Sequence, residues 1–427
     1  MKNTPEMPSV RPCPFDPPAE YRNIRAEAPV AQFRTPRGNL AWLITRFDDI
    51  KQVLTDPRFS SDPTRPGFPS YLTGDILPPP GYFLLMDSPD HHRLRSVIVQ
   101  ELKGARLEEL RPKMQAIVDA QVERMLQMTP PVDLIQVFAL PVASLIICDL
   151  LGVPYQDHSF VQDRTDTILD RSRTPKEQEA AAIELMMYFD RIVTEKEQHP
   201  ENDLIGRLIQ DPARSSKINH AELVGLAALI LLSAYDTMVQ VIGLGTLTLL
   251  NHPEQVQDIL SSPVLIDKLT DELVRYLTVN HAGLPRVATE DVVVGGQTIR
   301  AGEGVVVMLN SGNRDEEAFT LPDEFNVHRS TRDHVGFGHG LHKCIGAHYA
   351  RMELGIVFSS LFRQVHGLQV TVPTHELEFR DEMVLYGVKQ LPVSWDLRAK
   401  PVQIQENTEG AAPEAKGCPM HAGGQHV

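Results

Sequence analysis

The stretch Phe337-Gly-His-Gly-Leu-His-Lys-Cys-Ile-Gly346 decides the reading of this chain. It sets Cys344 at the end of a glycine-rich loop, and the apolar spacing that follows predicts a helix from about Ile345 to Gln364. A thiolate is a soft metal ligand, and it must stay deprotonated to act as one. A position just before a helix N-terminus favours the anion, because free backbone N–H groups and the helix dipole point at it. Gly338, Gly340 and Gly346 let the backbone approach the sulfur closely. N–H groups directed at a sulfur also tune its redox behaviour. Two blander readings compete with this one. A lone cysteine can simply be buried beside a flexible loop. A glycine-rich loop can also cradle phosphate, but the Lys-Ser/Thr ending of such loops is missing here.

Bulk properties narrow the field. The chain has 427 residues, 42% hydrophobic and 23% charged, enough to bury a large core. Its formal net charge is -15, from 41 basic and 56 acidic residues, which argues against a nucleic-acid partner. The four cysteines, Cys13, Cys148, Cys344 and Cys418, are far apart and form no metal-type pair, and a disulfide framework is not expected in so long a chain, so a reducing compartment is the natural reading. The segment Met1 to Asp16 carries four prolines and no apolar run, so neither a secretory signal nor a membrane anchor is expected. The expected location is the cytoplasm.

Working outward, "VAQFRT" and "LAWLITR" alternate about Pro36-Arg-Gly-Asn39, a hairpin signal. Residues 62–81 are rich in Pro and Gly and read as a long binding loop. From Asp90 to about Gln198 the spacing is helical, and residues 219–251 form one long apolar helix. Its length permits a membrane span, but Asp236 sits in its middle and no basic flank follows, so a buried central helix is expected. "SPVLIDKLTDELVRYLTV" is a further helix, and "VVVGGQTIRAGEGVVVML" a hairpin turning at Gly295-Gly296. Residues 1–399 are expected to form one domain, mainly α with a smaller β part, and 400–427 a disordered tail. Cys418, His421 and His426 in that tail lack a preformed metal geometry.

The spacing of Phe337, Gly340, His342, Cys344 and Gly346 matches the haem-binding signature of the cytochrome P450 family, which the chain resembles over nearly its whole length. The resemblance implies that fold, with a long central helix over haem b and Cys344 as the axial ligand of its iron. Phe337, Gly338 and Gly346 would then border the haem. Three more motifs stand in the family's order. Glu272 and Arg275 share one helix face and, with Arg329, resemble the family's structural ion-pair network. Arg286, together with His91 and Arg95 of "SPDHHRLR" and with His342, resembles the family's clamp for the two haem propionates. Ser233 to Met238, "SAYDTM", resembles the oxygen-binding segment. In it Ala234 leaves a groove over the iron, while Asp236 and Thr237 are suited to relay the protons that dioxygen cleavage consumes. A paired mid-helix Asp and a Thr bonded back to the helix is the structural alternative. Ala234 replaces the usual glycine, and the orientation of Tyr235 is open.

The branch resembled is the soluble bacterial one, actinomycete-like and ferredoxin-dependent. The resemblance implies a cytoplasmic monomeric monooxygenase acting on a small organic, natural-product substrate. Electrons would pass from NAD(P)H through a ferredoxin reductase and a ferredoxin, which docks on a basic patch including Lys343, His342 and Arg93. The loop 62–85, the helix around Ile230 to Ala234 and the segment Val279 to Gly283 would line the pocket, with Phe83, Leu84, Ile230 and Ala282 as the candidate pocket residues, any of which could equally be core. Two other functions remain open. One is a nitric oxide reductase-like member that takes hydride directly from NAD(P)H. The other is a non-catalytic haem protein.

Overall fold

The computed structural model describes residues 4–35, 38–69, 78–329 and 333–397. The 400–427 tail, with its cysteine and two histidines, lies outside them, as does part of the 62–85 loop. The β part is a five-stranded sheet. Its strands are β1 (Val30–Arg34), β2 (Leu40–Ile44), β3 (Phe59–Ser60), β4 (Leu284–Ala288) and β5 (Gly304–Val307), in the order β1-β2-β5-β4-β3. The β1–β2 pair is the hairpin expected from alternation, with Val30 opposite Ile44 and Arg34 opposite Leu40. The hairpin expected at Gly295-Gly296 also forms, pairing Val292–Val294 with Gln297–Ile299. The β4–β5 register pairs Arg286 with Val305. One sheet face packs Ile44, Val305 and Val307 on Phe47 and Ile50 of α1 (Phe47–Thr55).

Helices make up the rest. In chain order, those that build the site are α2 (Asp90–Ile98), α3 (Gly104–Leu126), α4 (Leu140–Leu151), α5 (His158–Leu169), α6 (Pro175–Gln198), α7 (His220–Leu250), α8 (Pro263–Leu277) and α9 (Ala347–Gln364). The central helix α7 opens with a reciprocal cap. The Asn219 side chain accepts from the Glu222 N–H, and the Glu222 carboxylate accepts from the Asn219 N–H, both at 3.0 Å. It is long and apolar enough to cross a membrane, yet 72% of its most apolar window is buried in the protein, as expected of a core helix. Glycines let neighbours press on it. A Cβ on Gly225 would stand 1.8 Å from the Pro80 carbonyl oxygen, and one on Gly81, at φ +90°, 2.0 Å from the Glu222 carbonyl oxygen. The end of the 62–85 loop is therefore seated on the backbone of α7.

One buried ion pair ties helices to irregular chain. The Arg275 guanidinium, fully buried, meets both oxygens of Glu272 at 2.8 Å. It also donates to the carbonyls of Asn313 and Pro322 at 2.8 Å. Arg329 reaches Glu272 at 3.2 Å, and the Asn326 N–H donates to the same carboxylate at 2.9 Å. These four groups around the pair come from irregular chain, so its removal would strand several buried donors at once. Replacing Glu272 with Ala should destabilise the fold by about 3–5 kcal/mol, because Arg275 is left charged and unpaired. Urea denaturation followed by far-UV circular dichroism measures this, and an unchanged midpoint would contradict it.

Candidate functional site

Cys344 lies at the mouth of α9, three residues before its first turn. Its N–H donates to the Phe337 carbonyl at 2.7 Å, closing the loop into a tight turn. Gly338 and Gly340 both take φ +68°, which L side chains rarely adopt. Gly340 has a reason that the sequence did not suggest. A Cβ there would stand 2.2 Å from the Leu54 carbonyl oxygen, so its close approach is to α1 and not to the sulfur. Gly346 has an ordinary backbone conformation, and a Cβ on it would only touch the Cys344 sulfur, at 4.0 Å. The Cys344 side chain is exposed at the surface, yet the protein packed around it withdraws enough solvation to push its thiol above the usual range, opposed by the Gly346 N–H and by the charges of Arg95, Arg351 and Lys343. Arg351 of α9 also stacks on the Phe337 ring, 4.7 Å from its centroid, and binds the buried Asp271 of α8 at 2.7 Å. His334 donates to the same carboxylate at 3.1 Å. Sequence reasoning missed this second anchor of the loop, because Asp271 and Arg351 lie 80 residues apart.

Four of the predicted basic residues converge beside the loop. The His91 and His342 rings are 4.2 Å apart. Both ring nitrogens of His91, and Nδ1 of His342, are buried without a hydrogen-bond partner among the described residues. His342 Nε2 meets the Ser61 hydroxyl at 3.1 Å, which β3 positions by pairing with β4. Burial, then the charges of Arg95 and Arg286 among others, push His91 down to about 4. Burial and Arg286 likewise push His342 down to about 3. Arg95 donates one N–H to the Lys343 carbonyl at 2.6 Å. The arrangement has the chemistry to receive an anion: neutral imidazoles whose nitrogens lack partners among the described residues, flanked by two guanidinium charges.

On α7 the accessible surface near the middle of the helix is confined to Leu232, Ser233, Ala234 and Thr237, while Leu231, Tyr235, Asp236 and Met238 are buried. Ala234 and Thr237 share a face with Ile230. The Thr237 hydroxyl donates to the Ser233 carbonyl at 2.6 Å, with the Ala234 carbonyl 3.0 Å away. Asp236 receives Gln240 Nε2 at 2.7 Å and Arg380 Nη1 at 2.5 Å on Oδ1, while Oδ2 has no partner among the described residues. The pairing and back-bonding of the structural alternative are thus present, yet one carboxylate oxygen remains free. Tyr235 turns away from the Thr237 face and is buried beside Ser144 of α4 and Asp166 of α5. Of the four pocket candidates, Phe83 packs its ring 5.8 Å from His91, Ile230 and Ala282 are buried, and Leu84 is 43% exposed. Arg380, Asp166 and Arg351 carried no local sequence signal.

These residues fit a haem. A thiol presented at a helix start supplies a soft axial ligand. The imidazole nitrogens without partners among the described residues, with Arg95 and Arg286, suit two carboxylates, and Ser233, Ala234 and Thr237 give α7 an accessible face of small residues.

The description "Cytochrome P450" belongs to the family model that matches residues 257–366. Cytochrome P450-SU2 of Streptomyces griseolus is 41% identical over 385 residues, 90% of this chain and 94% of that protein. The crystal structure of CYP105P1 in complex with filipin I superposes with a TM-score of 0.88 at 36% identity, covering 93% of this chain and 100% of the other. Mycinamicin VIII C21 methyl hydroxylase of Micromonospora griseorubida, solved with mycinamicin VIII bound, does so with a TM-score of 0.86 at 35% identity, covering 92% and 100%.

Removing one guanidinium from the receptor should weaken haem retention. Arg286→Met is expected to lose a charge-assisted contact of about 1.5–3 kcal/mol, roughly a ten- to hundredfold faster haem loss. Transfer of haem to apomyoglobin measures that rate, and an unchanged rate would remove Arg286 from the receptor.

Proposed function

Because the chain belongs to the cytochrome P450 family, we propose that it is a haem-thiolate monooxygenase that draws two electrons from a separate ferredoxin-type partner and oxidises a natural-product scaffold. The observation that carries this reading is the buried Asp236, with one free carboxylate oxygen, next to Thr237 on the open face of α7. Cys344 would hold the iron, and His91, His342, Arg95 and Arg286 the propionates, with Phe337, Gly338 and Gly346 bordering the ring. The bound haem supplies an iron centre able to activate dioxygen. Every remaining task falls to side chains. Asp236 takes up and releases protons, and the Thr237 hydroxyl, anchored to the Ser233 carbonyl, orders the groups that receive them. Ala234 keeps the helix face open, and Ile230, with the 279–283 segment, would border the substrate. Natural products are the class to which the two neighbours' named ligands, filipin I and mycinamicin VIII, belong.

The partner reading rests on a groove on the cysteine side. It has a volume of about 840 Å³ and carries Lys103, Lys343 and Arg363 around the Cys344 segment, while two further arginines of its lining are already paired, Arg111 with Glu108 and Arg351 with Asp271, both at 2.7 Å. Asp267 offsets the three cations only in part, so an acidic ferredoxin finds local positive charge on a chain of net charge -15. Two members of the patch expected from sequence do not belong to it. Arg93 is paired with Glu222 at 2.7 Å and with Asp90 at 2.9 Å, and His342 points inward to His91. The protein is expected in the cytoplasm, where such partners and reduced nicotinamide are found.

The competing hydride-accepting reading is separated by one experiment. With a plant-type ferredoxin and its reductase, NADH should drive oxygen consumption, and Asp236→Asn should slow it on the order of a hundredfold. NADH and nitric oxide without any protein partner should give no turnover. Rapid nitric oxide consumption under those conditions, or full activity of the Asn variant, would sink the monooxygenase reading.

A further inference from the structure

Outside the thiolate loop, one guanidinium joins two carboxylates. Arg380 donates Nη1 to Asp236 Oδ1 at 2.5 Å and Nη2 to Asp166 Oδ1 at 2.9 Å. The side chain of Asp236 is 3% exposed, that of Arg380 12% and that of Asp166 45%. The triad therefore runs from the core beside α7 to the solvent side of α5.

Arg380 is held in place by its own segment. Its N–H donates to the Gly387 carbonyl at 2.9 Å, and Phe379 pairs with Val388 across the same hairpin-like turn. Gly387 lies directly on Gln240 of α7, where a Cβ would stand 1.7 Å from Oε1. Gln240 in turn donates to Asp236 at 2.7 Å, so Gly387, Gln240, Asp236 and Arg380 close a ring. The turn is also bonded on both sides. Val384 N–H donates to the Leu169 carbonyl of α5 at 3.1 Å, and Tyr386 N–H to the Val279 carbonyl at 2.8 Å. His281 Nε2 meets the Met383 carbonyl at 2.7 Å. Any change in the spacing of α5, the 279–283 segment and α7 is thereby carried to Arg380.

We propose that Arg380 and Asp166 are positioning residues for Asp236. The shared guanidinium holds the Asp236 carboxylate in place and divides its charge between two anions, and Asp166 is the solvent-side carboxylate that sets the share. This rests on Asp236 being the proton donor of the reading above. A donor works best when it both gains and loses its proton readily near the operating pH. A guanidinium bound to Asp236 alone favours the anion strongly. A second carboxylate on the same guanidinium offsets that bias. Asp166 faces Arg380 from the 379–388 turn, Asp236 and Tyr235 from α7, and Asp163 on its own helix. Burial, assisted by Asp236 and Asp163 and opposed by Arg380, pushes Asp166 up to about 6. Its charge therefore changes close to neutral pH. Below that point Asp166 is neutral and Arg380 acts on Asp236 undivided. Above it the guanidinium is shared between the two carboxylates.

The test uses the holoenzyme as its diamagnetic carbon-monoxide adduct, labelled with [4-¹³C]aspartate. The Asp236 resonance is assigned by its loss in Asp236→Asn and then titrated in the wild type, Asp166→Asn and Arg380→Met. Asp236 should titrate at lower pH in Asp166→Asn and at higher pH in Arg380→Met. In NADH- and ferredoxin-driven oxygen consumption, each variant should be slowed about tenfold, with a larger solvent isotope effect. Arg380→Lys should recover most of the rate. An Asp236 titration that neither variant moves overturns the proposal, even where the turnover falls. If Asp236→Asn leaves turnover unchanged while the titrations shift, the proton-donor reading fails and the proposal with it, by a separate result.

Discussion

The Cys344 sulfur stands where irregular chain turns into α9, and the site depends on that turn being immobile. Three independent sets of contacts fix it. The Cys344 N–H to Phe337 carbonyl bond closes the loop on itself. Gly340 lets it lie on the α1 backbone at Leu54. Arg351, stacked on Phe337 and bound to Asp271, holds it between α8 and α9. A loop that could fray would move the thiol, and His342 with it, relative to His91 on α2 and Arg286 on β4. A ligand displaced by about an ångström is enough to impair such a site. Rigidity therefore comes from the scaffold, and the loop contributes geometry.

The molecule handles buried charge in the same way in three places. Glu272 serves Arg275 and Arg329, Asp271 serves His334 and Arg351, and Arg380 serves Asp236 and Asp166. Desolvating ions is expensive, and a pair offsets the cost only when its remaining donors and acceptors are satisfied. Arg275 meets that condition through backbone carbonyls, and its role is structural. Asp236 does not meet it, since one oxygen is left free in a buried setting. His91 and His342 likewise hold buried ring nitrogens without a partner among the described residues.

Much of the site was legible because it is written locally. The glycine spacing around Cys344, the length of α7, the Glu272–Arg275 separation and the two hairpins all follow from short-range periodicity and turn chemistry. The side of α7 on which Tyr235 lies was not legible, because it is decided by what α4 and α5 present. Arg380 was invisible for a similar reason: it lies 144 residues from Asp236, in a turn without a motif. Gly340 was read correctly as a necessary glycine but for a wrong neighbour, since the Leu54 carbonyl comes from a helix nearly 300 residues earlier. Arg93 looked like a free surface cation until Glu222 of α7 was seen to hold it.

Thiolate ligation of haem iron by Cys344 is open to direct observation. Haem-reconstituted protein, reduced and exposed to carbon monoxide, should show the strongly red-shifted Soret band of thiolate ligation, and Cys344→Ser should lose it. A wild-type carbon-monoxide complex without that shift would contradict the ligand, and with it the reading of the loop, the receptor and α7 as one site.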